Sequence, residues 1–446
     1  MVQQIARHGI PYDLPTETAL REQLLQVEKA NLEIQLAKVK ACIEIVGEEN
    51  VVFIVTDGEA SNKATTRLLE ARKPRIMWAP CLAHCLNNIL KDFAKLPWMV
   101  GLLDKGKTLV GFLRNHLHLV AILASFSSRR VLKFSETRFA FNFLMMERLV
   151  ELRPKLQQMF VSDAYIARLE SRTDSGIACQ GIVFNDTYWN EVNHMLGVSR
   201  RVMYLLWMVD RDMPVIGKVY KGMDQMSENI RQQEENNLRY EELNQLISNR
   251  WWAYHSTFHS VAYMLDPEFQ GRGQEKSREV SKDWNMYLEI QFPDYQQRST
   301  IKNQLCQYRN LEGSFGTGDS QMDRTTKGSV QWWEDNGYSG PNLQRLAIQV
   351  LSQASSSSYV ERLFSIFGHI ASKKRNCLVV NRIADLVFVA SNTKLIGSHT
   401  SYDKFVGLSQ TESIPQITND DIEAMEEEDE DEDDDPANEE LLDEME

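Results

Sequence analysis

The chain has 446 residues, 43% of them hydrophobic and 25% charged, and its six cysteines are irregularly spaced. Such usage excludes a wholly disordered or fibrous chain and a disulfide framework, and leaves room for two or three domains in a reducing compartment. The absence of any run of about eighteen apolar residues excludes a membrane span, and the first residues lack a secretory apolar stretch. The net charge of −14 is segregated: residues 420–446 hold 18 acids and no Lys or Arg, leaving 45 acidic against 49 basic side chains in residues 1–419. The body therefore carries about +4, which permits a nucleic-acid partner without diagnosing one. The tail cannot bury enough apolar surface to order itself and is expected to be disordered.

Leu25, Leu32, Leu36, Val39, Ile43 and Val46 recur at helical spacing and predict one long helix over 16–46, stopped at Gly47. VVFIV (51–55) reads as a buried strand. A helix over 60–72 and a second strand, RIMWA (75–79), complete a strand–helix–strand unit, for which parallel pairing is expected. So small a sheet needs cover along its edge, from the helix at 16–46 or one at 357–370. Residues 80–310 read as mostly helical. GSFGTGDS (313–320) reads as a flexible joint. Three amphipathic helices then follow. The first, 341–351, carries Leu343, Leu346, Ala347, Val350 and Leu351. The second, 357–370, carries Val360, Leu363, Phe364, Phe367 and Ile370. The third, 382–394, carries Ile383, Leu386, Val387 and Ala390.

Several residues could carry chemistry, each with a bland alternative. Asp57 follows the first strand, where open α/β sheets place ligands and where metal-assisted phosphoryl chemistry needs carboxylates. It also fits a turn with Gly58 or a helix cap. Cys81 and His84, in PCLAHC (80–85), are three apart on a helix and could share a metal. A structural zinc site wants four ligands, no paired CxxC or HxxxH follows, and His116 and His118 are the nearest candidates. From spacing alone, a buried thiol and a hydrogen-bonded core His are the favoured reading. Glu361 shares a polar helix face with Ser357, Ser358 and Ser365; it either faces a metal or backbone, or lies solvated in a first turn favoured by the helix dipole. Arg138, beside Phe139, could hold a phosphate or merely anchor a helix. No Walker loop, nucleophile elbow, dinucleotide fingerprint or Cys₂His₂ finger is visible.

VVFIVTDGEASN (51–62), MWAPCLAHCLNNILKD (77–92), ETRFAFNFLMMERL (136–149), HSTFHSVAYMLDPEF (255–269), WWEDNGYSGPNLQRLAIQVLSQASSSSYVERLFSIFGHIASKKRN (332–376) and RIADLVFVASNTKL (382–395) together resemble the hAT (hobo/Ac/Tam3) superfamily of transposases. The likeness is to the plant group with a domain of unknown function ahead of the dimerisation region. It implies an α/β RNase H-like core interrupted by a large all-α insertion, with a catalytic site of three acids. Asp57 matches the second acid and Glu361 the third. Cys81 and His84 match the family's Cys-x-x-His signature, taken as structural or site-adjacent and not as a zinc ligand set. Arg138 matches a site-adjacent Thr-Arg-Phe segment.

The sequence departs from the family pattern at the first acid, because no Asp-Gly-Trp occurs, and the zinc-binding BED finger is missing as well. The core is therefore expected to be incomplete. The organisation that follows is an N-terminal helical segment (1–49), a partial RNase H-like domain (50–160), a helical insertion (161–312), the joint (313–331), the dimerisation region (332–395) and a C-terminal segment (396–446). Two acids hold two Mg²⁺ ions poorly. The expectation is a domesticated, non-cutting nuclear protein that needs no cofactor, with Asp57 and Glu361 the metal residues if Mg²⁺ binds at all. It would act through homo-oligomers joined by Leu343, Leu346, Val350, Leu363, Phe364, Phe367, Leu386 and Val387, with DNA or chromatin contact and a tail that meets basic proteins. The alternative is an active metal-dependent transposase or nuclease whose first acid comes from elsewhere or was lost in an incorrect gene model.

Overall fold

The computed structural model describes residues 34, 36–135, 139–211, 214–233, 237–370, 382–383 and 385–391. Arg138, the first half of the predicted N-terminal helix and the acidic tail lie outside them. The chain divides into two units, residues 1–78 and 79–446.

In the first unit, residues 36–46 are helical (α1) and place Leu36, Val39 and Ile43 along one stripe. Gly47 stops the helix at φ 89°, a conformation that favours glycine, and its N–H closes on the Ile43 carbonyl at 2.9 Å. A short helical turn, Glu48–Asn50, takes up Val51 N–H, so the strand β1 (Phe53–Thr56) starts two residues later than its apolar run suggested. Helix α2 (Ala60–Arg72) leads to β2 (Met77–Pro80). That strand also starts late, because Ile76 N–H is drawn into a turn on Lys73. Met77 N–H donates to Val52 and the Trp78 indole to Thr56 Oγ1; both contacts advance in one direction along the two segments, the sense of a parallel pair. Leu36 and Ile43 bury against Leu69 and Ile76, with Val51 and Ile54 alongside, so α1 supplies the cover that a two-stranded sheet requires.

The second unit is mostly helical. Its helices of eight or more residues run α3 (Leu82–Phe93), α4 (Pro97–Arg114), α5 (Leu117–Ala124), α6 (Ala140–Phe160), α7 (Asp174–Phe184), α8 (Asp186–Val209), α9 (Ile216–Gln233), α10 (Asn237–Tyr254), α11 (Thr257–Leu265), α12 (Arg278–Gln291), α13 (Tyr295–Arg309), α14 (Ser329–Asn336), α15 (Pro341–Leu351) and α16 (Ser358–Ile370). Side chains of Thr173, Asn185, Ser277 and Asp294 cap the starts of α7, α8, α12 and α13. The longest helix, α8, packs against α3, α6 and α9, and α3 also meets α10. Leu82, Cys85, Leu86, Ile89, Leu90 and Phe93 form the buried stripe of α3. Among the described residues no helix is long and apolar enough to cross a membrane.

The expected flexible joint is not one. Residues 313–316 form a helical turn and Gly318–Asp323 a short helix. Ser314 N–H donates to Ser339 Oγ at 2.9 Å, and the Trp332 indole donates to the Ser320 carbonyl at 2.7 Å. Phe315, buried among Tyr308, Trp332 and Trp333, anchors the stretch, so its glycines serve tight turns rather than mobility. A buried charge cluster supports the region: Lys218 lies between Asp266 and Glu268, which offset its loss of hydration.

Candidate metal centre

Helix α3 begins at Cys81, whose extended backbone turns the chain into the helix and leaves its side chain at the N-terminus. The serine run 355–358 begins α16 and lies against it. Leu82 N–H donates to the Ser355 carbonyl at 3.1 Å. Ser357 N–H donates to Cys81 Sγ at 3.2 Å, and the Cys81 thiol lies 3.6 Å from Ser356 Oγ. Burial of Cys81 alone would push its thiol up, but hydrogen bonds from His84 and Ser357 outweigh that and hold it below the usual thiol range.

His84, one turn into α3, faces Glu361, one turn into α16, with Nδ1 and Oε1 3.8 Å apart. Ser357 Oγ donates to the same Glu361 oxygen at 2.7 Å and fixes it in the first turn. Sulfur, ring nitrogen and carboxylate oxygen of Cys81, His84 and Glu361 all lie within 4.8 Å of one another. The sulfur is buried, while His84 and Glu361 are 42% and 47% exposed, so the cluster has a closed side and an open side. A cleft of about 360 Å³ runs beside the serines, lined by Asp210, Arg211, Ser356, Ser358 and Tyr359 among others.

The other cysteine of PCLAHC behaves differently. Cys85 is buried in the α3 stripe, and burial pushes its thiol far up, the state of a packed core thiol. His116 and His118 belong elsewhere: His118 pairs with Glu170 at 3.0 Å and His116 Nδ1 meets the Phe112 carbonyl. Asp57 stands in the first unit just past β1. Its Oδ1 accepts Glu59 N–H at 3.1 Å and Asn62 Nδ2 at 2.6 Å, the turn-and-cap geometry open to an Asp at that place.

The apolar residues expected to join two copies part company. Leu343, Leu346 and Val350 are buried in the chain's own core, against α11, α13 and α14, and are closed to a second copy. On α16, Val360, Phe364 and Phe367 are 47%, 69% and 46% exposed and follow one another at i, i+4 and i+7. Leu363 is half-buried, Leu386 exposed and Val387 buried.

One constellation was not anticipated. Ser260 Oγ donates to Asp283 at 2.6 Å and meets His255 Nε2 at 3.1 Å. The residue types suit a nucleophile and its base, but Ser260 is wholly buried, so the trio braces α11 on α12 and has no access to substrate.

Two protein families match the chain. A domain of unknown function, DUF659, covers residues 25–109, and the hAT family C-terminal dimerisation region covers residues 319–393. No curated protein matches it. The chain thus carries transposase-related domains with a dimerisation region, the latter holding α14, α15, α16 and the helical residues 385–391.

Proposed function

We propose that this hAT transposase-like chain acts by self-association, as a chromatin- or DNA-associated nuclear protein that does not cut DNA. The observation that carries the reading is the row Val360, Phe364 and Phe367, exposed on α16 inside the matched dimerisation region. Fully burying an exposed Val or Phe side chain gains about 1.5–3 kcal/mol, and these partly exposed ones gain a corresponding share of it when covered; a second copy offers the same row in return across a two-fold axis. The absence of cutting rests on the acids. Asp57 and Glu361 match two of the three the resemblance requires, and no Asp-Gly-Trp occurs in these 446 residues. On this reading β1, α2 and β2 are what remains of an RNase H-like sheet. The +4 body gives weak attraction to DNA, and the acidic tail competes for it or draws basic proteins.

Light scattering on the full chain tests the association. The expected result is a dimer or larger assembly that Phe364→Glu with Phe367→Glu converts to folded monomers. A wild-type monomer at high concentration would overturn it. Cleavage of DNA in Mg²⁺ or Mn²⁺, abolished by Asp57→Asn, would restore the active-enzyme reading.

A further inference from the structure

The geometry points to a zinc-class metal site built by Cys81, His84 and Glu361, with its fourth position open to water. Three features favour this over an incidental cluster. The donors come from two segments far apart in the chain, and backbone contacts at Leu82 and Ser357 (the latter 276 residues from Cys81) hold those segments in register. The three donor atoms already lie within 4.8 Å of one another. Tetrahedral zinc with bonds of roughly 2.0–2.3 Å needs donors some 3.3–3.8 Å apart, so the site has about 1–1.5 Å to contract. His84 and Glu361 are half-exposed and can supply that by side-chain rotation. The outer contacts are in place too, because Ser357 Oγ aims the carboxylate and Ser357 N–H faces the sulfur.

The donor set selects the metal. Sulfur and imidazole favour Zn²⁺ or Co²⁺; Mg²⁺ takes oxygen ligands in octahedral geometry and fits poorly. Three protein ligands with one open position is the arrangement of reactive rather than closed structural zinc sites. Here the ion would also tie the first turn of α3 to the first turn of α16, the helix that carries the exposed row.

The test uses the full chain in a background where Cys42, Cys306 and Cys377 are serine, stripped of metal and titrated with Co²⁺. The site predicts one equivalent bound with a near-ultraviolet thiolate-to-cobalt absorption band, displaced by Zn²⁺ and not by excess Mg²⁺. Cys81→Ser removes the band. His84→Ala and Glu361→Gln, at half-exposed positions where folding is not at stake, weaken binding by more than about 100-fold, and Ser357→Ala by about 10- to 100-fold. Binding without the band, a band that survives Cys81→Ser or is indifferent to His84→Ala, or displacement by Mg²⁺ would each overturn the proposal. Absorption reads the metal and light scattering reads the assembly, so this site and the self-association stand or fall separately.

Discussion

Helices α15 and α16 are neighbours in the chain and alike in sequence pattern. Each carries apolar residues at i, i+3, i+4 and i+7. Leu343, Leu346, Ala347, Val350 and Leu351 of α15 are all buried, whereas Val360 and Phe367 of α16 are about half exposed and Phe364 stands largely in solvent. The difference lies in what surrounds them. Helix α15 is enclosed by α11, α13 and α14, with Leu343 N–H bonded to Gln304 at 2.8 Å and Gln344 reaching the Trp333 carbonyl at 2.7 Å. Helix α16 is held at its first turn by Cys81 and Arg362 (whose guanidinium donates to the Asp210 carbonyl at 2.8 Å), and its apolar row is left open. A stripe therefore states that burial is wanted; it does not state whether the partner is the same chain or another.

The comparison breaks if the two rows respond alike to truncation. Leu346→Ala should cost about 2–5 kcal/mol, from lost transfer energy and the cavity left behind, read by denaturant unfolding of the monomeric Phe364→Glu, Phe367→Glu background. Gly217→Ala should cost less, about 1–3 kcal/mol. A methyl there would meet Asp266 Oδ2 at 2.5 Å and Leu351 Cδ2 at 2.9 Å, pressing on the end of the α15 stripe.

A pH experiment sharpens the same contrast through α11, on which α15 rests. Burial, then the neighbouring His255, push His259 down to about 3. The folded state therefore keeps His259 neutral while the unfolded chain takes up a proton below its ordinary value near 6.5. Stability should fall as pH drops from about 6.5 towards 3, by up to about 1.4 kcal/mol per pH unit from this group. His259 Nδ1 accepts Ser256 N–H at 3.1 Å, so His259→Gln keeps an acceptor and should flatten the slope in an acid-titration unfolding series. The smallest effect belongs to the open row. In that background's parent, diluted until monomeric, Phe364→Ala should change unfolding free energy by no more than about 0.5 kcal/mol. A loss as large as that of Leu346→Ala would show that α16 is packed inside the chain after all.

The sequence by itself determined the local elements: the helix 60–72, the helix 341–351 and the start of α16 within a residue. It also offered the turn at Asp57 as one of two readings, because hydrogen bonds and side-chain spacing over a few residues are local properties of the chain. It named Cys81 and His84 as a pair and Glu361 apart from them, and set the pair aside for want of further ligands nearby. Only the tertiary structure brought Glu361 to them from a segment distant in the chain, turned GSFGTGDS from a joint into a packed corner around Phe315, and divided α15 from α16. Periodicity encodes a face; which surface meets that face depends on how every other helix packs, and no local window carries that information.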